Sequence, residues 1–477
     1  MKWLKFKAAY HEGKWKSPFF IQIDSHGKIQ KISEKDVDAK VPVEEKDYYL
    51  LPGIPNAHSH SFQYVMSGLS ERVLPGREKD DFWFWREQMY QLANDIRMDE
   101  LLAVSTQLYM HMLEQGYTSV TEFHYLHHEL TGKSHQRPTQ IAEVIMEAAQ
   151  TAGIHLTLVP VYYNQAAPNV PIKPQQRRFH FKAADLYLSF IEDTVAIVKA
   201  SYPDVTVGYG VHSLRAASLD DIKTILSTPW TRGPAHFHAS EQTEDVRTFV
   251  DAYGVRPIDW LCDNIPLSSR HNLVHATHIS EQESDKLVKS GATVVLCPST
   301  EANLGDGIFP ILDYQMKGGS WSIGSDSQVN LNPFREMAMP ELTQRLLDRK
   351  RNVFCQDGQP DSGSLLYDRV LKSGRLSVGL EAGSFQKGML LEGLLLDPYH
   401  DRLLERPLDT LLSVLIYAND SNMIQGVYSK GTLRVSEGRH KGRANNQKPY
   451  SKALQRLMQG LNGIESDSES TVEAALT

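Results

Sequence analysis

The sequence predicts an α/β fold: a (β/α)₈ TIM-like barrel with a small β-sandwich domain built from the N- and C-terminal segments. From residue 51 onward, apolar runs of strand length alternate with amphipathic segments of helix length, which is the pattern of βα units around a parallel sheet. Eight such runs occur at a mean spacing of roughly 40 residues, which fits a barrel enlarged by loop insertions. A doubly wound parallel sheet is the alternative fold.

The predicted barrel strands can be read directly from the sequence. In chain order they are LLPGIPNAHSH, TSVTEFHY, IHLTLVPVYYN, VTVGYGVHS, AHFHASE, NLVHATH, TVVLCPS and WSIGSDS. Helices are predicted between them at 98–116, 139–153 and 184–202, where apolar residues recur at helical spacing. Gly153 is a suitable C-cap, and Ser280 with Glu283 forms a candidate capping box after the sixth strand.

The two ends of the chain carry short strand-like runs, among them FFIQID near the start and GMLLEGLLLD near the end. Each end is too short to bury a core alone, so residues 1–50 and 386–440 are predicted to form one composite β-sandwich packed against the barrel of residues 51–385. Residues 441–462 are predicted to form a C-terminal helix. The polar, acidic residues 463–477 are predicted to be a disordered tail.

Composition narrows the possible functions. The 477 residues carry a net charge of −8, which disfavours binding to nucleic acid or to anionic lipid. Three widely separated cysteines cannot build a disulfide framework, and reduced thiols are expected. Neither a signal-peptide pattern nor a membrane-length apolar stretch is found, so a soluble cytoplasmic protein is predicted.

Metal-ligand side chains recur at the carboxyl ends of the predicted strands, where barrel enzymes place their active sites. His58 and His60 end the first strand, and side chains two residues apart share one face of an extended chain. His238 ends the fifth strand and Asp326 the eighth. Three imidazoles and a carboxylate can hold one zinc ion and leave a position for water. We therefore expect a metal site formed by these four residues.

Candidates for proton transfer lie beside this site. Zinc lowers the pKa of bound water to roughly 7 to 9, so a hydroxide nucleophile exists near neutral pH. Glu241, three residues after His238, can shuttle a proton to a leaving nitrogen, and His275 on the sixth strand can orient the water together with Asp326. His124, His127 and His128 also follow a strand, and a solvated loop is the simplest interpretation of most of them.

These motifs resemble the amidohydrolase superfamily, and within it the aminohydrolase branch, whose HxxE pattern on strand 5 corresponds to His238 and Glu241. Members with two metals usually bridge them by a carboxylated lysine on strand 4. The fourth strand here, VTVGYGVHS, contains no lysine. The resemblance therefore implies one metal ion per chain, zinc, with iron as the alternative.

The chain most resembles the formimidoylglutamate deiminase family of that branch, through segments such as DFWFWREQMY, GYTSVTEFHYLHH and SIGSDSQVNLNPFRE. The resemblance implies a homodimer that converts N-formimino-L-glutamate to N-formyl-L-glutamate and ammonia in histidine degradation. It places the metal on His58, His60, His238 and Asp326, and catalysis on Glu241, His275 and Asp326. It also implies that five residues contact the dicarboxylate substrate, namely Gln63, Arg86, Tyr125, His212 and Arg215. The two arginines suit this role because guanidinium groups bind carboxylates bidentately.

Two other functions remain open from the sequence. Another aminohydrolase, acting on a purine or pterin-like ring, would use the same metal ligands but would favour aromatic and amide contacts over two arginines. A catalytically silent binding or scaffold barrel would be expected to lack a metal ligand or Glu241. The four ligands and Glu241 are all present in this sequence. Gln328 departs from the family, where a histidine is expected two residues after the metal aspartate. We expect this departure to affect fine substrate preference rather than metal binding.

Overall fold

The structure, a computed structural model, describes residues 1–37, 40–69, 71, 82–355, 360–419 and 422–475, with side chains up to residue 461. The strands are β1 (Lys2–His11), β2 (Lys14–Lys16), β3 (Phe19–Ile23), β4 (Ile29–Ser33), β5 (Val43–Pro52), β6 (Ile54–Ser59), β7 (Tyr117–His124), β8 (His155–Tyr162), β9 (Gln165–Ala167), β10 (Val170–Pro171), β11 (Thr206–Val207), β12 (Tyr209–Ser213), β13 (Ala235–Ala239), β14 (His271–His275), β15 (Thr293–Leu296), β16 (Ser320–Ile323), β17 (Gly393–Leu396), β18 (Ile424–Ser429), β19 (Thr432–Ser436) and β20 (Arg439–His440).

The helices are α1 (Phe82–Asp95), α2 (Met98–Gln115), α3 (Gln140–Ala152), α4 (Ala184–Ser201), α5 (Leu219–Leu226), α6 (Thr243–Tyr253), α7 (Pro257–Asn264), α8 (Glu281–Ser290), α9 (Pro298–Leu304), α10 (Ile311–Met316), α11 (Pro333–Asp348), α12 (Ser362–Ser377), α13 (Leu411–Tyr417) and α14 (Arg443–Ala475). Short 3₁₀ helices cover Ser61–Met66, Pro174–Gln176 and Leu408–Thr410.

The predicted barrel is confirmed. Within the described ranges, β6, β7, β8, β12, β13, β14, β15 and β16 pair in that order, and every pair is parallel. The predicted fourth strand is interrupted at Gly208, so its first part is the separate strand β11. The last strand meets the first at an isolated parallel bridge between Ser59 and Asp326. Closure therefore brings the end of β16 against the end of β6.

The two chain ends form one domain, as predicted. Strand β17 pairs with β5 in antiparallel register, with Leu394 opposite Leu51. The strands of these two segments form one sheet of nine strands among the described residues, in which eight follow one path and β2 pairs with β1. This sheet has its own core, which includes Phe6, Leu50 and Leu395. A second apolar surface is thus buried beside the barrel.

The chain passes from this sheet into the barrel at Gly53, a few residues after the predicted boundary at residue 50. A Cβ atom at this position would lie 2.2 Å from Oγ1 of Thr118 at the start of β7. Any larger residue would push the first barrel strand away from the second. Glycine is required here by close approach of the two strands.

The predicted helix caps are confirmed. Gly153 is the C-cap of α3 with φ of 79°, in the left-handed region where glycine is favoured. Ser280 accepts a hydrogen bond from the Glu283 amide, and the Glu283 carboxylate accepts one from the Ser280 amide, so the capping box at α8 is confirmed. The three cysteines are free. None of the described helices is long and apolar enough to cross a membrane.

The C-terminal helix differs from its predicted length. Helix α14 continues to Ala475, past residue 462, where the disordered tail was expected to begin. The segment TVEAA near its end is rich in alanine and glutamate, which are strong helix formers, and this local propensity was outweighed in the prediction by the acidic composition. Residues 476 and 477, and the side chains from residue 462 onward, lie outside the described residues.

Candidate metal centre and substrate pocket

Four predicted ligands meet at the carboxyl end of the barrel. His58 lies on β6 and His60 directly after it, His238 lies on β13, and Asp326 follows β16. The bridge that closes the barrel holds Asp326 in place, since its backbone amide donates to the His58 carbonyl and its carbonyl accepts the His60 amide. All four side chains are buried, and their ligand atoms lie within 4.8 Å of one another.

The spacing of these atoms fits a tetrahedral metal site. The Nε2 atom of His58 lies 3.2 Å from that of His60 and 3.1 Å from that of His238. Oδ1 of Asp326 lies 3.4 Å and 3.3 Å from Nε2 of His58 and His60. Ligands about 2.05 Å from a zinc ion in tetrahedral geometry are separated by about 3.3 Å. The residues present therefore fit a single metal ion.

Backbone carbonyls set the orientation of two of the imidazoles. Nδ1 of His60 donates to the Phe123 carbonyl at 3.0 Å, and Nδ1 of His238 donates to the His212 carbonyl at 2.8 Å. A proton on Nδ1 leaves the Nε2 lone pair free to bind a metal. Burial lowers the pKa of His60 to about 3 and also lowers the pKa of His238, so these rings are neutral, as metal ligands must be.

Asp326 is held in the form that a metal requires. Burial acts to raise the pKa of its carboxyl group, but the hydrogen bond with His58 and the charge of His275 outweigh burial and lower the pKa. Its backbone has φ of 45°, in the left-handed region that a non-glycine residue seldom occupies. Such strain persists only where the surroundings enforce it, and it is common at functional sites.

Glu241 and His275 face the same centre. Nε2 of His275 lies 3.6 Å from Oε1 of Glu241 and 3.6 Å from Oδ2 of Asp326, and this nitrogen has no hydrogen-bond partner among the described residues. Burial raises the pKa of Glu241 to about 7. Burial lowers the pKa of His275, but the charges of Glu241 and Asp326 and the hydrogen bond to Glu301 raise it to about 10. A carboxyl group with a pKa near neutral can both accept and donate a proton during turnover.

A pocket opens directly from this centre, and it brings together all five residues predicted to contact substrate. These are Gln63, Arg86, Tyr125, His212 and Arg215. Nε2 of Gln63 donates to the Tyr125 hydroxyl at 2.9 Å, while Oε1 of Gln63 has no partner among the described residues. Aromatic and apolar side chains from α1, including Phe82 and Trp85, complete the wall. Apolar walls with a few fixed polar groups are typical of small-molecule sites.

The two arginines are held differently. Nη1 of Arg215 donates to Asp245 at 2.7 Å, and both side chains are buried. The Arg86 guanidinium lies 4.2 Å from the Trp83 ring, and its Nε and Nη1 have no acceptor among the described residues. Buried guanidinium nitrogens are normally hydrogen-bonded. Unfilled donors beside the ligand group therefore indicate a place for an anionic group of a bound molecule.

Gln328 lies behind the ligands rather than in the pocket. Its Nε2 donates to the Asp326 carbonyl at 2.6 Å and to Oγ of Ser59 at 3.0 Å, and its Oε1 accepts the Ser325 hydroxyl at 2.7 Å. It is not among the residues that line the pocket. The side chain thus connects the end of β16 to the end of β6 and is placed to support Asp326.

This position gives a prediction about stability. Gln328→Ala would leave buried polar atoms of Ser59 and Ser325 without this partner, at a cost of about 1–3 kcal/mol in the free energy of unfolding. Thermal unfolding of the metal-loaded protein would measure the loss. The order of preference among substrates should stay as in the wild type. A changed order with unchanged stability would show that Gln328 acts on substrate instead.

The histidines after β7 were predicted incorrectly as mostly solvated. His124 and His127 are buried, and Nε2 of His127 donates to the Val161 carbonyl at 3.0 Å. His128 is partly buried and bonds the His180 carbonyl at 2.7 Å. The long segment between β8 and α4 folds back over the end of β7, and nothing in the local sequence around these histidines signals that cover.

Sequence reasoning missed several supporting carboxylates. Glu122 on β7 accepts the Ser59 hydroxyl at 2.9 Å and the Ser61 amide at 2.6 Å, which fixes the chain on both sides of His60. Asp245 holds Arg215, and Glu301 contacts Nδ1 of His275 at 3.2 Å. Glu122 lies in the second predicted strand, and the only sign of its role in the sequence was a charged residue within a strand segment. Asp245 and Glu301 follow strand ends by several residues and had no comparable signal.

Known proteins match this chain over most of its length. The model of the amidohydrolase family matches residues 49–362. The formimidoylglutamate deiminase of Pseudomonas aeruginosa is 39% identical over 410 residues, which cover 86% of this chain and 89% of that protein. A 5-methylthioadenosine/S-adenosylhomocysteine deaminase of Pyrococcus furiosus is 22% identical over 409 residues, 84% of this chain and 86% of that protein.

Solved structures show the same fold. An amidohydrolase from Brucella melitensis superposes with a TM-score of 0.88 at 33% identity, covering 96% of this chain and 100% of that one. An adenosine deaminase from Xanthomonas campestris with bound zinc gives a TM-score of 0.76 at 18% identity, over 96% and 98% of the two chains, and supports the fold alone. Amidohydrolases are metal-dependent, and the His/His/His/Asp group found here is one that can bind a metal. With a family match over most of its length and a relative 39% identical, the chain belongs to the amidohydrolase family.

Proposed function

We propose that this protein hydrolyses N-formimino-L-glutamate to N-formyl-L-glutamate and ammonia. The observation that carries the proposal is the pair of guanidinium groups, Arg86 and Arg215, in the pocket beside the ligand group. Two such groups match a substrate with two carboxylates, whereas a purine ring offers none. The similarity to the Pseudomonas aeruginosa formimidoylglutamate deiminase supports the same substrate.

His58, His60, His238 and Asp326 would hold the metal, which supplies, when bound, a water activated near neutral pH and polarisation of the formimino group. Glu241 and Asp326 lie on either side of Nε2 of His275, so these three groups would orient the attacking water and take up its proton. A carbon–oxygen bond forms at the formimino carbon. Glu241 then delivers that proton to the terminal nitrogen, the carbon–nitrogen bond breaks, and ammonia leaves. As the formyl C=O bond forms, the proton of the added hydroxyl group passes to the same carboxylates and on to the departing nitrogen, so both protons of the water end on ammonia.

Arg86 and Arg215 would fix the other end of the substrate. Arg215 already has Asp245 on Nη1, so it is held rigidly and presents its remaining donors to a carboxylate. Gln63, Tyr125 and His212 line the space between the arginines and the ligand group, where the substrate backbone would pass. Holding both carboxylates would place the formimino carbon near Glu241 and the metal.

We propose zinc as the resident metal, one ion per chain, with iron as the alternative, because three imidazoles and one carboxylate complete a single site and β12 carries no lysine. Elemental analysis of the purified protein would decide both points. We also propose a cytoplasmic homodimer that has no nucleic-acid or membrane partner. Light scattering in solution would test the oligomeric state.

Ammonia release from a substrate panel tests the proposal. N-formimino derivatives of glutamate, aspartate and glycine differ in the position or presence of the second carboxylate, and guanine and adenosine represent ring substrates. We expect the glutamate derivative to give the highest kcat/KM and the glycine derivative to be very poor. A preference for guanine or adenosine, or equal rates with the glycine and glutamate derivatives, would contradict the proposal.

Arg86→Ala provides a sharper prediction. Nε and Nη1 of Arg86 have no acceptor among the described residues, so the change would remove the proposed substrate contact and leave none of their carboxylates without a partner at these two atoms. Truncating one member of a buried charge pair costs about 2–5 kcal/mol. Because Arg86 is partly exposed, we expect the lower end, a loss of about a hundredfold in kcat/KM for the glutamate derivative. The glycine derivative should lose much less if Arg86 binds the side-chain carboxylate.

Arg86→Lys is the matched control. It keeps the charge but not the planar fork, so it should recover only part of the loss. Arg215→Ala is a less clean test because it also leaves Asp245 unpaired in a buried place, and a fall in stability is expected alongside the fall in activity. Wild-type activity in Arg86→Ala on the glutamate derivative would remove Arg86 from the substrate contacts.

A further inference from the structure

We infer that Glu301 is a positioning residue, which fixes the ring of His275 so that Nε2 faces the reacting groups. The inference deepens the proposed function and rests on it, because the proposed reaction gives His275 its role. Glu301 follows β15, the seventh barrel strand, to which the sequence motifs assign no functional residue.

The contact is direct and buried. Oε1 of Glu301 lies 3.2 Å from Nδ1 of His275, and the same oxygen accepts the Cys297 amide at 2.8 Å. The side chain of Glu301 is 8% exposed and that of His275 is fully buried. No other hydrogen-bond partner of Nδ1 is found among the described residues, so Glu301 alone restrains this side of the ring.

The backbone around Glu301 is itself fixed. Cys297 is the N-cap of α9, and the Glu301 amide donates to the Cys297 carbonyl at 2.9 Å while its carboxylate accepts the Cys297 amide. The carboxylate is therefore tied to the end of β15. Strand β15 pairs in parallel with β14, which ends at His275, so helix α9, which follows β15 and carries Glu301, begins beside the end of the strand that carries His275. This arrangement leaves the carboxylate little freedom to move away from the ring.

The chemistry of the contact determines which nitrogen of His275 can act. A carboxylate accepts hydrogen bonds and cannot donate them, so Nδ1 must carry a proton in both charge states of the ring. Nε2 is then the nitrogen turned toward the site, 3.6 Å from both Glu241 and Asp326. Without Glu301, Nδ1 would lose its hydrogen-bond acceptor, and the ring could rotate or adopt the tautomer that has no proton on Nδ1.

A second metal site is the competing interpretation, since His275, Cys297 and Glu301 could also hold an ion. The geometry favours the hydrogen bond, because Oε1 of Glu301 already accepts two N–H groups. Burial also raises the pKa of the Cys297 thiol, so the thiolate that a metal would bind is disfavoured. Glu301 is in addition absent from the lining of the substrate pocket, so contact with substrate does not explain its position.

Three variants of the metal-loaded enzyme test the inference. Glu301→Ala removes the acceptor, and Glu301→Gln keeps a neutral oxygen that can still accept both N–H groups. Glu336→Gln is the matched control, because Glu336 is an equally buried glutamate that bonds Ser299 beside the same helix α9 and does not contact His275. Activity is expressed per bound metal, and the tautomer of His275 is read from ¹⁵N NMR of histidine-labelled protein, assigned with His275→Asn.

We expect Glu301→Ala to lower kcat by about 10- to 100-fold, the effect typical of groups that orient site histidines, with KM and the metal content near wild type. At a pH where the ring is neutral in both proteins, the ¹⁵N spectrum of Glu301→Ala should show a His275 tautomer protonated on Nε2 that is absent from wild type. Glu301→Gln should keep the proton on Nδ1 and retain a kcat nearer to wild type than to the alanine variant. Glu336→Gln should change neither kcat per metal nor the spectrum, whatever it does to stability.

The inference fails if Glu301→Ala keeps wild-type kcat per metal, if its His275 proton stays on Nδ1, or if Glu336→Gln lowers kcat equally. It also fails if wild type binds two metal ions and Glu301→Ala only one, which would indicate the second metal site. The spectrum requires no substrate. If the wild-type enzyme does not act on N-formimino-L-glutamate, the proposed function fails, while the tautomer comparison still decides the role of Glu301.

Discussion

Replacing His238 by alanine should abolish both metal binding and turnover. The change removes one of the three imidazoles of the ligand group, the one whose Nε2 lies 3.1 Å from that of His58. Only two imidazoles and one carboxylate of the group would remain to hold the ion, so its affinity should fall. Metal content by elemental analysis and ammonia release from N-formimino-L-glutamate, measured on one preparation, would show both losses together.

His236→Ala is the matched control for this prediction. His236 lies two residues earlier on β13, is equally buried, and bonds the Ser377 carbonyl at 2.8 Å rather than joining the ligand group. Its removal should reduce stability while metal content and kcat per metal stay near wild type. If His238→Ala retained a full equivalent of metal and its activity, His238 would not be a ligand. If both variants lost metal equally, the loss would reflect unfolding and not coordination.

The barrel could be predicted because each βα unit carries its own local signal. Apolar runs bounded by helix caps such as Gly153 and by the Ser280–Glu283 box define strands and helices without knowledge of the rest of the chain. The boundary between the small sheet and the barrel was harder to predict, because LLPGIP forms one continuous, largely apolar segment in the sequence. The chain changes sheets at Gly53 within that run, and the reason is contact with Thr118, 65 residues away.

The metal ligands of the site could be predicted because they lie at the ends of predicted strands. His58, His60, His238 and Asp326 all follow or end a predicted strand, and parallel strands bring such ends together. Residues that support those groups from another strand, such as Glu122 and Glu301, were not predictable in the same way. Their partners are 61 and 26 residues away, and a single carboxylate in a sequence does not indicate which distant group it will contact.

Gln328 illustrates the same limit. Its effect on fine substrate preference stays a prediction, and its side chain points to the backbone that joins the first and last strands. Sequence distance from a ligand therefore predicts proximity to the site but not the side of the site on which a residue lies. The direction is fixed by a φ of 66°, which the sequence does not reveal at a glutamine.

Glu241→Gln should keep the metal and lose turnover. Glutamine preserves the size and shape of the side chain but cannot move a proton, and Glu241 is not one of the four ligand residues. General acid–base groups contribute about 10² to 10⁴ in rate, so kcat should fall by at least the lower figure while metal content stays at wild type. Single-turnover ammonia release would measure the loss in the chemical step itself.

The prediction for Glu241 follows from its buried position as well as from its carboxyl chemistry. Burial raises the pKa of its carboxyl group to about 7, so that near neutral pH it can take a proton from water and give it to the departing nitrogen. Glu244→Gln is the control: three residues further on, Glu244 pairs with Arg247 at the surface, and its loss should leave kcat unchanged. A Glu241→Gln enzyme slowed only two- or threefold would mean that another group carries the proton, and His275, 3.6 Å away, would then be the residue to replace next.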